Sequence, residues 1–268
     1  MDILQYVFFQ NALLGSFLAS ILCGIVGTYI VTRRLVFISG GLTHASFGGI
    51  GLGVYFGISP IWSAMVFTVL SAFGIKWLST RDDMREDSAI AVFWTLGMSV
   101  GIIFSFLSPS FVPDLSSYLF GNILTITTAD IWALAILAFI ALLAFSFCLR
   151  PIMYVAFDRE FARSQGMPVQ CMEYLLIGFI ALTIVACLRM VGIVLVLSLL
   201  TIPQGTANLF THDYKRMMWY SILIGYLSCL GGLFFSYFWN VPSGACIILV
   251  SVLIYLAVKF CVILKKRK

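Results

Sequence analysis

The sequence predicts an all-α polytopic membrane protein with about nine transmembrane helices, the N-terminus outside and the C-terminus cytoplasmic, in a single transmembrane domain over residues 1–268. Three observations carry this reading. Of the 268 residues, 62% are hydrophobic and only 10% charged, and a mean hydropathy of +1.07 excludes an ordinary soluble domain. The apolar residues fall into runs of roughly 20, the length that crosses a hydrocarbon core about 30 Å thick. The basic residues gather at alternate ends of those runs, as the positive-inside rule requires.

The spans fall at about 11–32, 35–57, 60–79, 89–107, 128–149, 173–190, 192–211, 217–239 and 242–263. With the N-terminus outside, the inner ends receive Arg33, Arg34, Lys76, Arg81, Arg85, Arg150, Arg159, Arg163, Lys215, Arg216 and the tail from Lys265 to Lys268. Arg189 alone falls outside, where interfacial snorkelling accounts for it. Losing one span would move half the basic loops to the wrong face, so the charge pattern supports an odd number. The apolar stretch at 117–127 is too short to cross and reads as a re-entrant or surface helix after the outer loop that carries Asp114.

The second span, in RRLVFISGGLTHASFGGIGLGVYFG at 33–57, sets the functional question. On a helix Gly41, Ala45, Gly49, Gly53 and Gly57 recur every four residues and form one stripe almost free of side chains, where a neighbouring helix approaches closely. His44 flanks that stripe and therefore faces the interior or a cavity rather than lipid. At about 1.5 Å per residue it lies roughly 15 Å from Arg34, near the middle of the bilayer, unless Ser39, Gly40 and Gly41 interrupt the helix. Ionisable groups at that depth are functional by default, against the alternative of a buried histidine hydrogen-bonded between helices.

Other classes are disfavoured by what the chain contains. The net charge of +5 resides in short inter-span runs without the aromatic and basic interleaving of a nucleic-acid surface. The seven cysteines are scattered, mostly within apolar runs, with no CxxC pair, and read as small core residues. The first apolar run lacks a basic leader and ends at Arg33 and Arg34 instead of a cleavage site, so no signal peptide is expected. All eleven acidic residues fall outside or at the edges of the spans, which removes the intramembrane carboxylate usual in proton- or sodium-coupled transport. There is no GxxxxGK[ST] phosphate loop, HExxH or GxSxG, so the chain is not expected to be an enzyme.

The largest inner loop, 150–172, reads RPIMYVAFDREFARSQGMPVQCM. Asp158, Ala162 and Gly166 are spaced four apart and would share one face of a short helix, stopped by Gly166 and Pro168. The plain reading is a solvated loop with one helical turn, and the sharper one is a docking helix for a cytoplasmic partner. Further on, Pro203, Gln204 and Gly205 interrupt an apolar run, either exposing backbone carbonyls to a path or merely bending a span. His212, at an inner boundary, reads as a helix-end residue.

Five collinear segments, at 33–53, 114–124, 158–166, 191–207 and 241–249, resemble the permease subunit of bacterial ABC importers for zinc, manganese and related divalent metals. The resemblance spans nearly the whole chain. It implies a multi-pass permease of the bacterial plasma membrane, a second copy of the chain, a cytoplasmic ATP-binding subunit and an extracytoplasmic metal-binding protein. It also implies that Asp158, Glu160, Ala162 and Gly166 form the coupling surface inserted into the ATPase. In that family the second span usually reads GDxxxHA, and this chain has Gly40 where the aspartate would stand. His44 is then the expected transient metal contact, with Thr43 a second candidate, and Ser39, Thr43 and Ser46 could supply hydroxyl oxygens or hold water around a partly hydrated ion. No tightly bound cofactor is expected, because a four-ligand cage would prevent release. A lone imidazole without a carboxylate makes zinc the first expectation and manganese the next. The rivals are a permease for a metal chelate such as a siderophore, haem or cobalamin, and an ATP-independent channel or exporter.

Overall fold

The computed structural model describes residues 6–81, 84–108, 121 and 126–266. Among these there are helices and no strands: α1 (Val7–Thr32), α2 (Val36–Phe56), α3 (Pro60–Arg81), α4 (Glu86–Leu107), α5 (Thr128–Phe147), α6 (Leu149–Phe157), α7 (Arg159–Ser164), α8 (Val169–Leu199), α9 (Ile202–Asn208), α10 (Tyr214–Trp239) and α11 (Ser243–Lys266). Among the described residues eight stretches are long and apolar enough to cross a bilayer. The expected second span, now α2, has the length, but its glycines, hydroxyl residues and His44 dilute its hydropathy. With α2 the spans match the about nine read from the sequence. The expected helix at 117–127 and Asp114 before it lie, but for Gly121, Ile126 and Thr127, outside the described residues.

The helices fall into two packing units, residues 33–115 with 144–185 and residues 1–32 with 116–143 and 186–268. In the first, α2 packs against both α3 and α4. The single expected stripe is in fact two. Gly49 and Gly53 lie against the backbone of Ala64 and Pro60 in α3, whereas Gly41 meets Ile90, and Gly48 and Gly51 meet Gly97 and Gly101, all in α4. A helix with glycine on two faces accepts two close neighbours, and dispersion between backbones replaces the hydrophobic drive that lipid does not supply. Gly57 is not on either stripe. It closes α2 as a left-handed cap at φ 68°, the position glycine occupies without steric cost. Ser39, Gly40 and Gly41 do not interrupt the helix, which runs unbroken from Val36.

In the second unit α10 packs against α1, α9 and α11. The expected boundary between spans near 190–192 appears as a break at Gly192 (φ 72°, ψ 170°) inside α8. The interruption at Pro203 separates α8 from α9, and Gln204 repairs its consequence. Pro203 has no N–H for the Leu199 carbonyl one turn earlier, and the Gln204 side-chain amide donates to that oxygen at 3.0 Å and to the Cys23 carbonyl of α1 at 2.7 Å. Gln204 is fully buried, and its side chain ties this break to the neighbouring helix α1. Gln204→Leu is expected to lower stability by about 1–3 kcal/mol by stranding buried carbonyls, read as earlier thermal inactivation of the purified protein. Unchanged inactivation would show that the carbonyls find other donors.

Candidate functional site

The 150–172 loop folds as α6 and α7. Asp158 caps α7, its Oδ1 accepting from the Phe161 N–H at 2.9 Å, and Glu160 lies in the first turn, where a negative charge suits the helix dipole. The helix stops in a double backbone closure, Gly166 N–H to the Arg163 carbonyl at 2.9 Å and Met167 N–H to the Ala162 carbonyl at 3.1 Å. Gly166 is left-handed at φ 73° with open space around its α-carbon, as this termination requires.

Ala162 departs from expectation. The spacing puts it with Asp158 and Gly166 on a docking face, but it is fully buried in a small core with Val155 and Val169, flanked by Met167 and Met172. The four-residue spacing holds only inside a helix, and α7 is six residues long with Asp158 and Gly166 beyond its ends. Ala162 therefore anchors α7, and the outward residues are Arg159, Glu160, Phe161, Arg163 and Ser164.

His44 sits midway along α2, half-buried, its ring stacked on Trp94 of α4 with centroids 4.5 Å apart and planes 6° from parallel. Its Nδ1 is buried without a hydrogen-bond partner among the described residues. Thr43 is fully buried and donates to the Ser39 carbonyl, while Ser46 donates to the Thr43 carbonyl at 2.6 Å. These protons are spent on the helix's own backbone, and adjacent helical residues do not face one another, so α2 alone does not bring Thr43 and His44 onto one ion. Among the described residues no group of three or more His, Cys, Asp or Glu is placed to hold a metal.

Residues 5–262 match the model of the ABC 3 transport family. The chain belongs to that family. It is 40% identical over 253 residues to an uncharacterized membrane protein of Synechocystis, covering 94% of this chain and 90% of that one. It is 33% identical over 250 residues to the manganese transport system membrane protein MntC of Halalkalibacterium halodurans, covering 93% and 86%. Among solved structures it resembles PsaBC from Streptococcus pneumoniae in complex with Fab, with a TM-score of 0.85, 29% identity and coverage of 96% and 92%. This ABC 3 chain is accordingly a multi-pass protein of the plasma membrane.

The ABC 3 fold also brings together a group that the sequence reading passed over. Glu173 stands one turn inside α8, only 6% exposed. Its carboxylate meets Arg159 Nε at 2.6 Å, Lys76 Nζ at 2.9 Å and Arg33 Nη2 at 3.9 Å, and Arg33 also donates to the Ala156 carbonyl. These cations are Arg33 in the turn before α2, Lys76 near the end of α3 and Arg159 at the start of α7, all assigned by sequence to one side. By sequence position Glu173 is one more span-edge acid. The available signal was that it is a carboxylate inside the first turns of an apolar span while several unpaired cations waited at the same level. His212, by contrast, is exposed beside Asn208 at 3.3 Å.

Proposed function

We infer that the chain is the membrane permease subunit of an ATP-driven importer for a divalent transition-metal ion, alternating access under a separate cytoplasmic ATPase. A second copy of the chain and an extracytoplasmic metal-binding protein complete the assembly, and the N-terminus lies outside. The observation that carries this reading is the correspondence, over more than nine-tenths of this chain, with proteins named as metal and manganese transport membrane proteins. The sequence carries no GxxxxGK[ST] phosphate loop, which supports a separate partner as the site of ATP hydrolysis. Two observations divide on the ion. The manganese names of the relatives favour manganese, and an imidazole with glycine in place of a carboxylate favours zinc.

In this mechanism the permease does no chemistry on its cargo. His44 offers one nitrogen to a largely hydrated ion, so binding is weak and release easy. Asp158, Glu160 and Gly166, around the two ends of α7, form the surface the ATPase grips, and buried Ala162 fixes α7 to the rest of its unit so that movement is passed on. The deciding experiment is uptake into vesicles by the chain reconstituted with its ATPase and delivery protein, comparing manganese, zinc and iron with and without ATP. ATP-dependent accumulation of one ion names the cargo, and accumulation of none rejects the reading.

Gly166 gives a sharper check on the coupling surface. Gly166→Asn is expected to insert normally, because asparagine tolerates the left-handed conformation, and yet to lower ATP-driven uptake about tenfold by filling space meant for the ATPase. Full uptake with asparagine would remove Gly166 from the coupling surface.

A further inference from the structure

A polar cleft of about 570 Å³ opens between the end of α3 and the start of α8, beside α7. It is lined by Lys76, Arg159 and Arg163, with the carboxylates of Glu86 and Glu173, and its walls include Trp77 and Tyr174. We propose that this cleft is a binding site for the headgroup of an anionic phospholipid.

Charge is the first argument. Around Glu173 three cations, Arg33, Lys76 and Arg159, converge on one carboxylate, and Arg163 adds a fourth at the cleft while Glu86 offsets one. The group therefore keeps a positive excess in a partly buried setting, where water screens it poorly. A phosphate ester fits because it accepts several charge-assisted hydrogen bonds at once, and Ser79 and Thr80 place hydroxyls on the same wall.

Depth is the second argument. The apolar stretches Pro60–Thr80 and Val169–Leu188 both have their cleft-side ends at this level, which is where headgroups lie. Trp77, half exposed, and Tyr174 carry the amphipathic rings that settle at a membrane boundary.

The third argument distinguishes a lipid from a free anion or an acidic protein segment. From the cleft an exposed apolar stripe runs down α3 through Trp77, Phe73, Leu70, Val66 and Trp62, spaced by three or four residues and so on one helix face. A headgroup in the cleft has its acyl chains laid along that stripe. Neither inorganic phosphate nor an acidic peptide would use it. Basic pockets between membrane helices bind anionic headgroups on these terms. The proposal is independent of the transported ion and of ATP.

Native mass spectrometry of the full-length chain in detergent, titrated with phosphatidylglycerol or phosphatidylcholine, tests it. Phosphatidylglycerol is expected to bind at least about fivefold more tightly, and Arg163→Gln, at an exposed position that leaves the Glu173 cluster intact, is expected to remove about fivefold of that preference. Inorganic phosphate near 10 mM, in excess over the lipid, is expected not to displace it. Equal binding of the two lipids, or an unchanged preference in the variant, would overturn the site. Displacement by inorganic phosphate would make it a free-anion site, and displacement by the purified ATPase subunit would make it a protein interface. Either outcome also rejects the lipid assignment.

Discussion

His44→Ala is expected to cut ATP-driven metal uptake at least tenfold while the permease still inserts and assembles. The imidazole is the ionisable side chain placed at mid-span in α2, and its Nδ1 is buried with no hydrogen-bond partner among the described residues. Such a nitrogen costs about 1–3 kcal/mol while unpaired, a cost that packing of the ring does not offset and that a purely structural role would not explain. Packing is the competing account, because the ring stacks on Trp94 at 4.5 Å and such contacts are worth about 0.5–1.5 kcal/mol. His44→Phe separates the two. Phenylalanine keeps an aromatic face for Trp94 and removes both nitrogens, so it should preserve thermal stability and lose uptake as fully as alanine. Normal uptake with phenylalanine would reduce His44 to a packing residue.

Most of the helical plan was legible because hydropathy runs and charge alternation respond to the bilayer, and neither depends on tertiary detail. The break at Gly192 and the start of α3 at Pro60 fell within a residue or two of expectation. Two features were not legible. The glycines of α2 show a four-residue repeat, but a repeat on one helix does not say how many neighbours use it, and α3 and α4 divide it between them. Likewise Ala162 has the right spacing for an exposed face only if α7 continues through Asp158 and Gly166. Capping ends it short of both, and the small core around Val155 turns Ala162 inward. The ion cluster at Glu173 was hidden for a different reason. Its members are separated by up to 140 positions, from Arg33 to Glu173, and charge at span ends is already explained by orientation, so nothing local marks these cations as paired.

Glu173→Ala is expected to be the most destabilising of these substitutions, by about 3–5 kcal/mol, the cost of leaving buried charges without their partner. Lys76 and Arg33 retain only 12% and 19% side-chain exposure, so they cannot turn fully to water when the carboxylate is removed. Arg159, at 47%, can. The loss should therefore fall chiefly on the hold between α3, the start of α8 and Arg33, and less on α7. Thermal inactivation of the purified permease measures the total. Adding Lys76→Met to Glu173→Gln should recover part of the loss, because removing a cation together with the anion reduces the uncompensated charge. If the double variant is no more stable than Glu173→Gln alone, Lys76 is not a principal partner. The consequence for transport follows from the position of Arg159, which joins the first residue of α7 to a carboxylate rooted in a membrane helix. An Arg159→Gln permease is expected to keep most of its stability, because the core contact through Ala162 remains, and to transport less, because α7 is then held to its unit by that core alone.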